Sequence, residues 1–334
     1  MHLKRTFKQK TIAVIYDFDG TLTPRPMQEY TVLPQLGITP DAFWREVREE
    51  AKRENADEML TYMRLLSSKI STKQHIGRSQ FSDLAKHIEY YDGVESWFPR
   101  INAFASNHPH GGKKTALRHY VISAGLKEIL EGISIKRYFH NLFASEYYYD
   151  VHDVPTFPNV LVTDTIKTQY LFRINKGREE IHETINEHMP ENERPIPFSN
   201  MLYIGDGMSD VPCMTVCKQA GGYAIAVYEP RRSTAKKRCE ELLAAGRVDF
   251  IAPADYREGK ELDGFVRIIL DRMLADIRYH RGRHTQAMRL NPMMPNAQSN
   301  SQHPVIPSPL EQEPVETTQL AQEQQTPKAD QIAD

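Results

Sequence analysis

Thr11-Ile12-Ala13-Val14-Ile15-Tyr16-Asp17-Phe18-Asp19-Gly20-Thr21-Leu22-Thr23 is the stretch on which the reading of this 334-residue chain turns. Its first six residues are apolar and rich in β-branched side chains, the pattern of a strand buried on both faces. The run ends in two aspartates spaced i and i+2, which leave an extended chain on the same side. Gly20 then permits a sharp turn. Two carboxylates this close need a cation or a shared proton. The chemistry open to them is metal binding, nucleophilic attack by a carboxylate, or proton transfer. An Asx-type turn after a strand uses the same residue types and is the plain alternative.

Outward from this stretch, strands alternate with helices. His119-Tyr120-Val121-Ile122, Met201-Leu202-Tyr203-Ile204, Tyr223 to Val227 and Val248 to Ile251 read as further strands, with Leu126 to Glu131 as a helix. Such alternation indicates an α/β fold, a Rossmann-like parallel sheet with helices on both faces. From Pro24 to Tyr90 the alternation stops. Thr39-Pro40-Asp41 is a helix start, and Phe43, Trp44, Val47 and Ala51 follow at helical spacing. Two more amphipathic segments carry Met59, Tyr62, Met63, Leu66 and Ile70, then Phe81, Leu84, Ala85 and Ile88. This stretch reads as a small helical cap inserted after the first strand.

Ligands of such sheets bind at the carboxyl ends of the strands. The strand at Met201–Ile204 ends in Gly205-Asp206-Gly207-Met208-Ser209-Asp210, again carboxylates leaving an apolar run. A capped helix start is the alternative for that segment alone. Two acidic strand ends in one sheet make a hard-oxygen site suited to Mg²⁺, whereas histidine or cysteine there would indicate zinc. A third strand end supplies Ser123-Ala124-Gly125, a hydroxyl and backbone N–H groups that form either an anion seat or an ordinary helix cap.

The order Asp17-x-Asp19-Gly-Thr, Ser123, a lysine, then Gly205-Asp206-x-x-x-Asp210 resembles the haloacid dehalogenase-like hydrolase superfamily. The position of the insert resembles the helical-cap branch that includes phosphoserine phosphatase-like enzymes. The resemblance implies that Asp17 is the nucleophile and Asp19 the acid and base, the second aspartate being the mark of the phosphatases and phosphomutases. It implies Mg²⁺ held by Asp17, Asp206 and the backbone carbonyl of Asp19, with Asp210 a further ligand, directly or through water. It also implies that Ser123, the Gly125 region and a lysine hold the phosphoryl oxygens. Lys176, in Asn175-Lys176-Gly177 ahead of a helix-like stretch from Arg178 to His188, is the preferred lysine, with Lys167 its rival. Between them and Ser123, Tyr147-Tyr148-Tyr149 and Val160-Leu161-Val162 suggest extra strands, either a hairpin near the site or an extension of the sheet.

The implied function is a Mg²⁺-dependent phosphatase acting on a small-molecule phosphate ester through an aspartyl-phosphate. A phosphomutase with the same site and a non-catalytic binding protein are the alternatives. A lid over the site favours small substrates. With 42 basic against 44 acidic residues, the balance argues against a nucleic-acid partner. Three cysteines build no disulfide framework, no apolar run approaches a membrane span, and the amino terminus lacks the roughly 7–15-residue apolar stretch of a signal peptide. A cytoplasmic location is therefore expected. From Leu290 onward the chain has six acidic residues and one basic, seven prolines, eight glutamines and no glycine or aromatic residue. That composition cannot bury enough apolar surface to offset ordering. The expected division is a core of 1–23 and 91–285, a cap of 24–90 and a disordered acidic tail of 286–334.

Overall fold

The computed structural model describes residues 6–110 and 115–290. Seven strands form one sheet, in the spatial order β4 (Pro155–Val160), β3 (Phe139–Tyr149), β2 (Ala116–Leu126), β1 (Thr11–Tyr16), β5 (Met201–Gly205), β6 (Tyr223–Tyr228) and β7 (Phe250–Pro253). All neighbours are parallel except β4, which runs antiparallel to β3. The central position of β1 explains its composition. All six of its residues are buried, so both faces must be apolar. Ile12, Val14 and Tyr16 pack on one side, Ala13 and Ile15 on the other.

The helices divide between these two faces. On the Tyr16 side lie α6 (Val94–Asn107) and the long α11 (Glu261–Leu290), which bury Trp97, Phe98, Val266 and Leu270. The other face is covered by α8 (Lys167–Lys176), α9 (Val211–Gln219) and α10 (Ser233–Ala244), including the free buried Cys213, Cys217 and Cys239. This is the Rossmann-like arrangement expected from the alternating pattern. Because α11 continues to Leu290, residues 286–290 are helical rather than tail; the remainder of the expected tail lies outside the described residues.

Between β1 and α6 the chain forms five helices: α1 (Met27–Tyr30), α2 (Val32–Gln35), α3 (Pro40–Glu54), α4 (Glu58–Lys73) and α5 (Arg78–Leu84). Proline at the first position of α3 suits a backbone whose amide has no helical partner. Asn55 ends that helix in the left-handed conformation, and the Asp57 side chain caps α4 by accepting from the Leu60 amide at 2.8 Å. The extra strands resolve the question left by the sequence: β3 and β4 are a hairpin that extends the sheet, and it also grips the helical insert. The Tyr147 hydroxyl donates to the Met63 carbonyl at 2.7 Å, and Ser67 Oγ donates to the Thr156 carbonyl at 3.2 Å.

Among the described residues no helix is long and apolar enough to cross a membrane.

Candidate active site

Parallel pairing brings the acidic strand ends level. The Asp17 amide donates to the Ile204 carbonyl at 2.9 Å, so the ladder between β1 and β5 carries the chain directly into both acidic segments. Asp17, Asp206 and Asp210 each offer a carboxylate oxygen within 4.8 Å of the others. The turn after Asp17 is tight: the amides of Thr21, Leu22 and Thr23 all donate to the Phe18 carbonyl. Gly20 sits in it at φ +84°, and a Cβ there would drive into the Asp206 carboxylate. Glycine is thus required at this position by conformation and by space together.

Asp19 points elsewhere. Its carboxylate accepts from the Met27 amide at 2.8 Å and lines a cavity of about 380 Å³. The cavity runs between the strand ends, at Ala124 and Gly125, and the helical insert, at Trp44, Arg48, Met59 and Tyr62. Ser123 is buried at the end of β2, where its Oγ accepts from the Gly125 amide at 2.9 Å. The segment Ser123-Ala124-Gly125 is extended rather than a helix start, since β2 continues to Leu126 and only one turn, α7 (Lys127–Leu130), follows.

The lysine that reaches the acidic cluster is Lys167 and not Lys176, the one preferred from the sequence. Lys167 Nζ donates to Asp17 Oδ1 at 2.7 Å and to Asp210 Oδ1 at 2.8 Å, with 1% of its side chain exposed. Lys176 instead donates to the carbonyls of Ile185 and Glu187, in a loop without helix. The physical reason lies in helix direction. A helix that leads into a strand of the parallel set runs from the carboxyl edge of the sheet back to the opposite edge, so its first residue stands at the site. Lys167 opens α8 and Lys176 closes it, about 14 Å further along the axis at 1.5 Å per residue. Lys-Gly is here a helix end: Gly177 adopts φ +63° and donates its amide back into the last turn. Read as a stop, that glycine would have located the helix and its first lysine. Arg173 organises the stretch expected to be helical, donating to the carbonyls of Arg178, Glu180, Ile181 and Glu183.

Burial dominates the electrostatics. It pushes the Asp17 carboxyl up to about 7, against the pull of the Lys167 ammonium and with repulsion from Asp210 adding to it. Asp19 and Asp206 are driven well above the ordinary carboxylate range, first by burial and then by the Asp17 charge. For Lys167 burial works against the charge, but Asp17 and Asp210 outweigh it and raise its proton affinity. One ammonium therefore faces three gathered carboxylates. Buried charge of this kind calls for a compensating cation, and an all-oxygen donor set fits a hard divalent ion such as Mg²⁺. Asp17, Asp206 and Asp210 are the carboxylates that could hold it. The Asp19 carboxylate is not among the three gathered groups.

A Rossmann-like sheet with carboxylates and a lysine converging at its carboxyl edge, under a helical insert, defines a class, and the chain belongs to it: the family model of the haloacid dehalogenase-like hydrolases matches residues 14–215. The chain is similar to an uncharacterized protein of Borreliella burgdorferi, 28% identical over 284 residues, covering 78% of this chain and 96% of that one. Two crystal structures share the fold. A probable phosphoserine phosphatase from Vibrio cholerae aligns with a TM-score of 0.52 at 14% identity, over 81% of this chain and 68% of its own. A haloacid dehalogenase-family hydrolase from Salmonella enterica serovar Typhi aligns with a TM-score of 0.50 at 13% identity, over 79% and 72%.

Proposed function

We propose that the chain is a Mg²⁺-dependent phosphatase that hydrolyses a small phosphomonoester through an aspartyl-phosphate on Asp17. The observation that carries this reading is the division of labour between two aspartates two residues apart. Asp17 lies in the acidic cluster with its Oδ1 held by Lys167, while Asp19 faces the cavity where a leaving group would sit.

In this reading the Asp17 carboxylate attacks phosphorus, and the ester oxygen departs with the proton of Asp19. Asp19 is suited to carry that proton at neutral pH because burial and the Asp17 charge both favour its neutral form. Asp19 then accepts a proton from water, whose oxygen attacks phosphorus and releases Asp17 and inorganic phosphate. Asp17 and Asp206 would hold Mg²⁺, which would supply compensation for the negative charge of the phosphoryl group. Lys167 and Ser123 hold those oxygens. The cavity, closed on one side by Trp44, Met59 and Tyr62, has the size for a metabolite rather than a folded macromolecule.

The test is phosphate release from a panel of metabolite phosphates and an aryl phosphate, with Mg²⁺ and with EDTA. Activity with Mg²⁺ that vanishes in Asp17→Asn, with the fold intact by circular dichroism, is expected. Turnover by Asp17→Asn at the wild-type rate refutes the nucleophile; phosphoenzyme consumed faster by a sugar phosphate than by water would make the enzyme a mutase.

A further inference from the structure

Asp210 is held from two directions. Lys167 Nζ donates to its Oδ1, and the hydroxyl of Tyr203, a wholly buried residue of β5, donates to the same oxygen at 2.7 Å. A carboxylate oxygen has two lone-pair sites, so Oδ1 is filled. Oδ2 accepts from the Gly207 amide at 3.4 Å and lies so close to Gly205 that a Cβ there would collide with it. Although the Asp210 carboxylate lies in the acidic cluster, its Oδ1 is taken up by protein donors, and Oδ2 has a single, longer contact to an amide.

The Tyr203 hydroxyl has no packing reason to be there. A phenylalanine would bury the same ring in the same apolar cluster without the cost of burying a hydroxyl. Its partner is Asp210, and the partner of Asp210 is Lys167. Two of the three Lys167 N–H groups are engaged by Asp17 and Asp210, which leaves one for a phosphoryl oxygen. The direction of that last N–H depends on where Asp210 Oδ1 stands, and carboxylate torsions are soft unless pinned.

We infer that Tyr203 is a positioning residue of the active site: its hydroxyl pins Asp210, and Asp210 acts as the anchor of Lys167 rather than as a metal ligand. The inference deepens the phosphatase reading and rests on it for the role of Lys167.

The experiment compares full-length Tyr203→Phe with wild type and with Tyr120→Phe, which loses a tyrosine–carboxylate bond of similar kind, to Glu179 at 3.0 Å, outside the acidic cluster. Turnover of an aryl phosphate, inhibition by inorganic phosphate, and calorimetric titration of the metal-free protein with Mg²⁺ are measured. Tyr203→Phe is expected to lose kcat by about tenfold or more and to bind phosphate correspondingly less well, the scale of a lost hydrogen bond to a charged group. Its Mg²⁺ affinity should stay within about threefold of wild type, and Tyr120→Phe should keep its kcat. A kcat in Tyr203→Phe within about twofold of wild type overturns the inference. So does a Mg²⁺ affinity weakened about tenfold or more, which would make Asp210 a ligand. Should Tyr203→Phe fold poorly, Asp210→Asn decides by the same titration, with retained Mg²⁺ affinity expected and a tenfold loss refuting. A wild-type chain that hydrolyses no ester sinks the phosphatase reading instead, and the metal titration still tells anchor from ligand.

Discussion

Replacing Lys167 with methionine keeps the length of the side chain and removes its charge. In the folded protein Lys167 is within 2.8 Å of Asp17 and Asp210, and none of the three side chains is more than 6% exposed. Removing one member of a buried ionic cluster leaves the others without compensation, which costs about 3–5 kcal/mol. The cost can be met in part by proton uptake. Without the ammonium the carboxyl of Asp17, already raised to about 7 chiefly by burial, rises further, at about 1.4 kcal/mol for each pH unit between that value and the medium. Urea unfolding of the metal-free variant, followed by circular dichroism, should therefore show a loss of about 3–5 kcal/mol at pH 8 and a smaller loss at pH 5.5. Lys176→Met is the control. That side chain is half-buried and bonds two loop carbonyls, so its removal should cost about 1 kcal/mol, equally at both pH values. A Lys167→Met variant that loses less than Lys176→Met, or whose loss does not shrink at pH 5.5, would refute the electrostatic account of the site.

The wild-type protein should itself respond to pH when stripped of metal. Asp17 has a folded-state proton affinity above its unfolded value of 3.8. The folded state then binds more protons between roughly pH 4 and pH 7, and stability falls as pH rises through that window. In EDTA the melting temperature should be lower at pH 8 than at pH 5, and Mg²⁺ should restore it at pH 8; a higher value at pH 8 in EDTA would contradict the assignment. Gly20→Ala should abolish Mg²⁺-dependent turnover, because the new methyl group meets the Asp206 carboxylate at a φ of +84°; retention of more than about a tenth of wild-type kcat/KM would show that the turn can yield. Tyr147→Phe should destabilise the fold by about 1 kcal/mol through loss of the bond between the hairpin and α4, read by thermal unfolding, and a neutral result would show that bond to be idle.

Much of the site was legible because its signals are local. An apolar run of strand length followed at once by aspartate states both the buried strand and the acid at its end, and this held for Asp17 after β1 and Asp206 after β5. The helical insert was legible from spacing alone, as Phe43, Val47 and Ala51 lie buried on one face of α3. The basic residues were harder. Lys167 and Lys176 lie on one helix, and a lysine beside a glycine draws attention although here it marks only the helix end.

The amino-acid sequence by itself determined the parallel sheet, the insert and the acidic strand ends, since strand period, helix period and turn chemistry are written within a few residues of each other. Only the tertiary structure decided that Lys167 enters the acidic cluster and that Asp19 turns aside to the cavity. Tyr203 bonding Asp210 and the hairpin gripping α4 were decided at the same level. These depend on the direction of α8 across the sheet and on side chains up to about 150 residues apart meeting in a buried space, where burial and repulsion, not local propensity, select the partners.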